Sequence, residues 1–431
     1  MARTERFRVS HTRKLDSAYR YVSEAVDAGV IMNTGDGANG RQVMVDGRRM
    51  MNFGSCSYLG LEALPELREG AHRAIDAYGT QFHFSRAYLQ CALYLELEAL
   101  LERITGRPVL VAASTTLAHQ AALPVLVKEG DRIVIDQFAH ASLHAALQLV
   151  PSIPVEILRH NRMDHLDALL ERGRDQKGQV WYVCDGLYSM LGDFAPFHEL
   201  RILLDRHQRL RLYIDDAHST SWLGRHGRGV ALDQFADDER VVVALSLNKA
   251  FSAAGGVVAL PQRELGARIR RCGGPMLFSG PIQPPMLGAA VASARLHLDQ
   301  KFPTLQDELT TRLDRCLHDL AAAPLSLGTA VQRSPIFQVQ CDSPRLAFAI
   351  ADRMKARGFY CCVCVFPAVP MNRPGLRFTV TRHNLLEDIT AFVSALATSA
   401  EEAGRAIIEA REDELPSSAE GIAYQVMSSG G

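Results

Sequence analysis

A single lysine, Lys249, stands between the apolar run Val241-Val-Val-Ala-Leu245 and the small-residue stretch Ser252-Ala-Ala-Gly-Gly256. The first run reads as a buried strand and Gly255 to Leu260 starts another, so Lys249 falls where a sheet delivers side chains to its edge. Taken alone, a lysine at a strand end is usually a surface residue, because lysines are seldom buried. Held among apolar neighbours, however, an ammonium loses proton affinity and can condense with an aldehyde such as that of pyridoxal phosphate (PLP). Ser246, three residues earlier, would then be placed to donate to a phosphate.

Other strand ends carry chemistry of the same kind. The run ending at Ile214 is followed by Asp215-Asp-Ala-His218. A carboxylate at a buried strand end is costly unless a cation meets it, and a protonated pyridine nitrogen is such a cation. Asp215 is assigned that role and would make the ring an electron sink; His218 could hydrogen-bond the cofactor's phenolic oxygen or a carbonyl. By itself the tetrapeptide is as well read as a turn or helix cap. Asp136-Gln-Phe-Ala-His-Ala-Ser-Leu-His144 places His140 to stack on a flat ring, with His144 an ordinary helix residue. In Cys184-Asp-Gly-Leu-Tyr-Ser-Met-Leu-Gly-Asp193, Ser189 could bond a ring oxygen. Ser114, Thr115 and Thr116 open a helix after a strand, where free N–H groups and hydroxyls suit a phosphate.

The elements that must position these residues are visible as short apolar runs with helical segments between them. The runs are Val109 to Ala113, Arg132 to Asp136, Val155 to Leu158, Val180 to Cys184, Leu210 to Ile214, Val241 to Leu245 and Val257 to Leu260. Strands alternating with helices imply a mostly parallel seven-stranded sheet covered on both faces, whose ligands bind at the carboxyl ends of the strands. Helices are expected at Leu15 to Val30, Pro65 to Tyr78 and Tyr94 to Thr105. From about residue 301 the pattern changes to long amphipathic helices and strand segments at Ile336 to Val339, Tyr360 to Phe366 and Leu376 to Val380, read as a smaller α+β domain. The expected organisation is an N-terminal arm (1–60), packing on a second subunit, a large α/β domain (61–300), the small domain (301–415) and a flexible Ser- and Gly-rich tail (416–431).

Composition bounds the function classes. At 431 residues and 47% hydrophobic, the chain can bury a large core. Its 47 Lys plus Arg nearly cancel its 48 Asp plus Glu, which leaves no net pull towards nucleic acid or an anionic membrane. Nine scattered cysteines, with neither a leader peptide nor a membrane-spanning run, point to a reducing cytoplasm. Cys361-Cys-Val-Cys364 lacks a second ligand pair at zinc spacing, so no metal is assigned and buried thiols are expected.

In four motifs the sequence resembles the α-oxoamine synthases, a group of fold-type I PLP-dependent transferases. The motifs are His140-Ala-Ser142, the Asp-Gly-x-x-Ser-Met-x-Gly-Asp run at 185–193, Asp215-Asp-Ala-His218, and Ser246-Leu-Asn-Lys-Ala-Phe251 with Gly255 and Gly256. The likeness runs from about Asn52 to Ile389. It implies that Lys249 is the Schiff-base lysine and proton shuttle, Asp215 the pyridinium partner, His140 the stacking ring, His218 and Ser189 contacts to the cofactor's oxygen, and Ser246 a phosphate ligand. Within Phe278-Ser-Gly-Pro-Ile-Gln-Pro-Pro285, Ser279 resembles a residue that reaches the phosphate of a neighbouring subunit, which implies a homodimer with shared active sites. Arg377, in Gly375-Leu-Arg-Phe-Thr, matches the arginine that pairs with the amino acid carboxylate.

The chain departs from the family at Tyr78-Gly-Thr-Gln-Phe-His-Phe-Ser-Arg86, where Phe82, His83 and Phe84 replace small residues near the expected substrate entrance and Arg86 is a second substrate-binding candidate. Ser114-Thr-Thr116 replaces a glycine-containing phosphate loop, and Asn248 stands where Ser or Gly is usual. The reaction implied is decarboxylative condensation of an amino acid with an acyl thioester, carried on CoA or an acyl carrier protein, to an α-amino ketone. Two alternatives stand beside it: a PLP-dependent aminotransferase or other acyl-free reaction on the same fold, and a PLP-binding protein without turnover.

Overall fold

The computed structural model describes residues 11–37, 40–328 and 332–414. Its centre is a seven-stranded sheet built from β1 (Val109–Ala112), β2 (Arg132–Asp136), β3 (Val155–Leu158), β4 (Val180–Asp185), β5 (Leu210–Asp215), β6 (Val241–Ser246) and β7 (Gly256–Ala259). The order across the sheet is β1-β7-β6-β5-β4-β2-β3. Only β7 runs antiparallel, against both β6 and β1. β4, β6 and β7 are buried along their whole length and β5 at all but Arg211, as expected of strands covered on both faces by crossover helices. Each run found in the sequence is a strand within a residue of its expected ends, and Pro65–Tyr78 is helical as read.

Three neighbouring parallel strands, β2, β4 and β5, end in an aspartate: Asp136, Asp185 and Asp215, all buried. Because the sheet is in register there, Asp185 lies directly beside Asp215. The carboxyl edge of the sheet is thus where charge must be compensated, and where a ligand can do it.

The turn from β6 to β7 carries Lys249 and is closed by four backbone and side-chain bonds. The Leu247 N–H donates to the Gly255 carbonyl (2.9 Å), Ala253 N–H to Leu247 (2.8 Å), Ser252 N–H to the Lys249 carbonyl (2.8 Å), and Gly255 N–H to Asn248 Oδ1 (2.8 Å). Gly255 has a φ of +130°, a conformation that side chains disfavour. At Gly256 the constraint is space, since a Cβ would overlap the backbone of Ser114 and Thr115.

The C-terminal part holds an antiparallel sheet of Ile336–Gln340, Gly375–Thr379 and Cys362–Cys364, covered by helices Phe302–Ala322, Pro344–Ala356 and Leu386–Glu414. The run expected as one strand at Tyr360 to Phe366 is broken at Cys361 into Phe359–Tyr360 and Cys362–Cys364, which join different sheets. Phe359–Tyr360 pairs in parallel with Arg48–Asn52, part of a hairpin with Gln42–Val45. Arg41 also pairs with Asp388 at 2.7 Å. Residues 41–52 of the expected N-terminal arm are therefore tied to the C-terminal elements of their own chain. The tail expected at 416–431 lies outside the described residues.

Candidate active site

A cavity of about 200 Å³ opens at the carboxyl edge of the sheet, lined by Ser114, Thr115, Thr116, His140, Asp215, His218, Ser246 and Lys249. All eight were singled out in the sequence. Asp185, Ser142 and Asn248 line it as well.

The two carboxyls at the floor are pushed apart in acidity. Burial would raise Asp215, but His119, Lys249 and His140 more than offset it, so it stays ionised with a pKa of about 2. Asp185 goes the other way, driven well up by burial and by Asp215. One neutral and one ionised group is the division expected of carboxyls on adjacent strands. Asp215 Oδ2 meets His119 Nε2 at 2.8 Å, and the other nitrogen of His119 meets the Tyr213 hydroxyl at 2.9 Å. His119 is a member of the site that sequence reasoning missed. The neighbouring Asp216 turns away to accept the Ala231 N–H (2.8 Å), and burial lifts its pKa to about 7.

His140 caps helix Ala141–Leu147. Its Nδ1 accepts the Ser142 N–H, and its own N–H donates to Asp185 Oδ1 at 2.9 Å. Burial lowers its pKa, so the ring facing the cavity is neutral. His218 is neutral too, held well below its ordinary value by burial and then by Lys249 and Arg377. Its Nδ1 lies 2.7 Å from the Tyr58 hydroxyl. Burial keeps that phenol protonated; we assign it as the donor to Nδ1, which leaves the His218 proton on Nε2. Tyr58 is the second residue that sequence reasoning missed.

Ser114 caps helix Thr115–Leu126, its Oγ accepting the Leu117 N–H at 3.2 Å. The first-turn N–H groups of Thr115 and Thr116 have no acceptor inside the helix and carry its positive end. The donor set suits PLP part by part: a helix start and hydroxyls for the phosphate, an ionised carboxylate for the ring nitrogen, a neutral flat ring for its face, and one amine for the aldehyde.

Arg377 is buried and is not part of the cavity lining. Its Nε donates to the Ser189 carbonyl at 2.6 Å, and Cys56 Sγ is 3.9 Å from a terminal nitrogen. Among the described residues no carboxylate lies within salt-bridge distance of it. Ser189 itself lines a larger neighbouring cavity together with His140.

Two expected site residues are elsewhere. Arg86 does not reach the cavity: it donates to the Val111 carbonyl (2.5 Å), pairs with Glu98 (3.4 Å) and lies over the Tyr94 ring at 3.7 Å. Ser279 sits with Phe82, His83 and Phe84 around a separate cavity, so those bulky residues do not crowd the 200 Å³ site within one chain.

His160 was likewise missed. Its ring is enclosed between Asp136 (Nδ1 to Oδ1, 2.9 Å) and Asp193 (Nε2 to Oδ2, 2.7 Å). It ties the strand end before His140 to the loop after Ser189. Burial opposes its charge, but the two carboxylates prevail and raise its pKa to about 9. A folded-state value above the unfolded one of about 6.5 gives stability that is complete below pH 6.5 and lost as pH rises through 9. Relative to His160→Gln, the urea-unfolding free energy of the native chain should fall by about 3 kcal/mol between pH 6 and pH 9.5. Parallel curves for the two proteins would show that the charged ring is not the link.

The chain matches the family model described as aminotransferase class I and II over residues 48–395. The 8-amino-7-oxononanoate synthase of Symbiobacterium thermophilum is 31% identical over 364 residues, covering 84% of this chain and 91% of that protein. That of Maricaulis maris is 32% identical over 365 residues, covering 83% and 88%. Among solved structures, Sphingomonas wittichii serine palmitoyltransferase is similar at a TM-score of 0.83 and 22% identity, covering 92% of this chain and 99% of that one. The 8-amino-7-oxononanoate synthase of Francisella tularensis gives 0.68 at 20% identity, covering 82% and 98%.

Proposed function

The chain belongs to the aminotransferase class I and II family, in its α-oxoamine synthase branch, and we propose how its own residues carry that branch's PLP-dependent decarboxylative condensation of an amino acid with an acyl thioester to an α-amino ketone. The observation that carries the assignment is Arg377: an enclosed guanidinium with no carboxylate partner among the described residues, beside a cavity that holds one amine. A buried cation in that state calls for an anion, and an amino acid carboxylate supplies one bidentately.

PLP, when bound, supplies an aldehyde for imine formation and an electron sink for charge at the substrate's Cα. Lys249, on the lining of the cavity, would hold the cofactor at its aldehyde and would take and return the Cα proton. Asp215, kept ionised by His119, compensates a cationic ring nitrogen. His140 presents a neutral face to the ring, while Ser114, Thr115, Thr116 and Ser246 hold the phosphate. The Nε2–H of His218 is a donor for a ring oxygen or for the thioester carbonyl, and Ser189 is a second oxygen contact. Arg377 orients the carboxylate that departs as CO₂.

The reading includes a homodimer in which Ser279 of one subunit reaches the other's phosphate. Its support is that Ser279 lies outside its own chain's cavity, beside aromatic rings that water would otherwise cover, Phe278 at 89% and Tyr88 at 90% exposure. A PLP-loaded protein that sediments as a monomer at micromolar concentration would remove this part. The nine free cysteines fit a reducing cytoplasm, and no helix among the described residues is long and apolar enough to cross a membrane. The thioester is carried by CoA or by an acyl carrier protein.

The test is thiol release by PLP-reconstituted protein across a matrix of amino acids and acyl thioesters. Release must depend on both partners. Arg377→Lys should raise the KM for the amino acid on the order of 10- to 100-fold with less effect on the thioester, because a point charge replaces a fork. Thiol release without an amino acid, or an amino acid KM indifferent to position 377, would overturn the assignment.

A further inference from the structure

Beside the cofactor cavity, and sharing His140 with it, lies a second cavity of about 410 Å³. Its walls are mainly Phe138, Tyr188, Met190, Leu191, Phe366 and Val369. The polar members of the lining are Gln137, His140, His144, Ser189 and the hydroxyl-bearing Tyr188, and none of the lining residues is Asp, Glu, Lys or Arg. Burial lowers the pKa of both histidines, so the lining carries no charge at neutral pH.

Charges do approach from behind the walls, and each is accounted for. The His160 ring packs on Phe138 at 4.8 Å and on Tyr188 at 4.4 Å, but both of its nitrogens are taken by Asp136 and Asp193. Arg377 comes nearest, its Nε 2.6 Å from the Ser189 carbonyl, but its guanidinium is assigned above to the amino acid carboxylate; Arg373 lies over Phe138, its Cζ 5.8 Å from the ring centroid, and is the other cation that could be drawn towards the cavity.

Resting on the condensation reading above, we propose that this cavity takes the acyl chain of the thioester, and that the chain is an apolar one of several carbons without a terminal carboxylate. The relatives' name, 8-amino-7-oxononanoate synthase, specifies a product that keeps a carboxylate. In this chain such a group would be desolvated among aromatic and aliphatic walls with no cation on the lining, which is strongly unfavourable. An alkyl chain gains instead by burial, roughly fourfold in affinity per methylene.

The test uses CoA and N-acetylcysteamine thioesters, so that the carrier does not decide the outcome. With one accepted amino acid, thiol release is measured for acetyl, octanoyl and 6-carboxyhexanoyl donors. The octanoyl donor is expected to exceed both others in kcat/KM by at least about 10-fold. Ala368 also lines the cavity, and Ala368→Trp, which narrows it, should lower the octanoyl value while sparing acetyl. A carboxylated donor that equals or beats octanoyl, with the advantage lost in Arg373→Gln, would overturn the proposal, as would a preference for acetyl.

If no donor releases thiol, the condensation reading itself fails, and direct binding still decides the cavity. Displacement of the fluorescent fatty acid cis-parinaric acid from cofactor-free protein by dodecanoate, but not by heptanedioate or acetate, and its weakening in Ala368→Trp, would support an alkyl site. Equal displacement by heptanedioate, or no binding of the probe, would refute it.

Discussion

Replacing Lys249 with alanine is expected to lower amino-acid- and thioester-dependent thiol release by about 10³-fold or more, while the thermal unfolding temperature of the cofactor-free protein changes little. The two halves of that result have separate grounds. The chemical half follows because the cavity is lined by one amine, and burial makes His140 and His218, the other bases on the lining, weaker than ordinary imidazoles. The stability half follows from the loop. Its closing bonds use the backbone of Leu247, Lys249, Ser252 and Ala253 and the side chain of Asn248, not the ammonium, which makes no hydrogen bond or ion pair among the described residues. Truncation therefore strands no hydrogen-bond partner, and Asp215 loses one compensating charge but keeps His119 against it. A variant that kept a tenth of native turnover would move the proton-transfer role elsewhere. A variant that lost activity by unfolding would be recognised by its melting curve, and Lys249→Arg, which keeps charge and length, would then separate chemistry from packing.

Asp215→Asn is expected to cost on the order of 10² to 10⁴ in kcat at nearly unchanged volume. The native carboxylate accepts from the Ala217 N–H at 3.1 Å through one oxygen and meets His119 through the other. An asparagine can keep the first bond, and can donate to His119 if that ring passes its proton to the side facing Tyr213. The fold is thus provided for, and what disappears is the negative charge opposite a cationic ring nitrogen. The absorption spectrum of the PLP-loaded variant should change along with the rate, a readout that loss of packing alone would not produce. Native kcat in the asparagine variant would mean that the ring nitrogen does not rely on this carboxylate.

The strands and the ligands at their ends were legible because both are local properties of sequence. An apolar run of four to six residues bounded by polar ones marks a buried strand, and the residue that follows it marks the edge. Direction is not local: nothing in Gly256-Val-Val-Ala distinguishes an antiparallel strand from a parallel one. The histidines His119 and His160 escaped for a related reason. Neither was given a role, because each acquires one only when folding brings it against an aspartate 96 or 24 positions distant along the chain. Three buried aspartates at adjacent strand ends were the available signal, because each needs a compensating group. Arg86 erred in the opposite direction. Its guanidinium is consumed by Glu98, the Val111 carbonyl and the Tyr94 ring, and a sequence in which Glu98 follows on the next helix already offered it a partner. Phe82, His83 and Phe84, expected near the substrate entrance, surround the same cavity as Ser279, away from the 200 Å³ site of their own chain.

The missing methyl group at Gly256 has a consequence beyond packing. The backbone of that residue rests on the peptide of Ser114 and Thr115, so the strand leaving the lysine loop and the turn that opens the phosphate helix touch without an intervening side chain. The two ends of the cavity, one supplying the amine and the other the phosphate donors, are spaced by bare main chain, which has no rotamers through which to drift. The pocket therefore has a gauge as well as a lining: any larger residue at 256 would lengthen the interval between amine and anion site and select against a cofactor of the original span, although position 256 presents no functional group of its own.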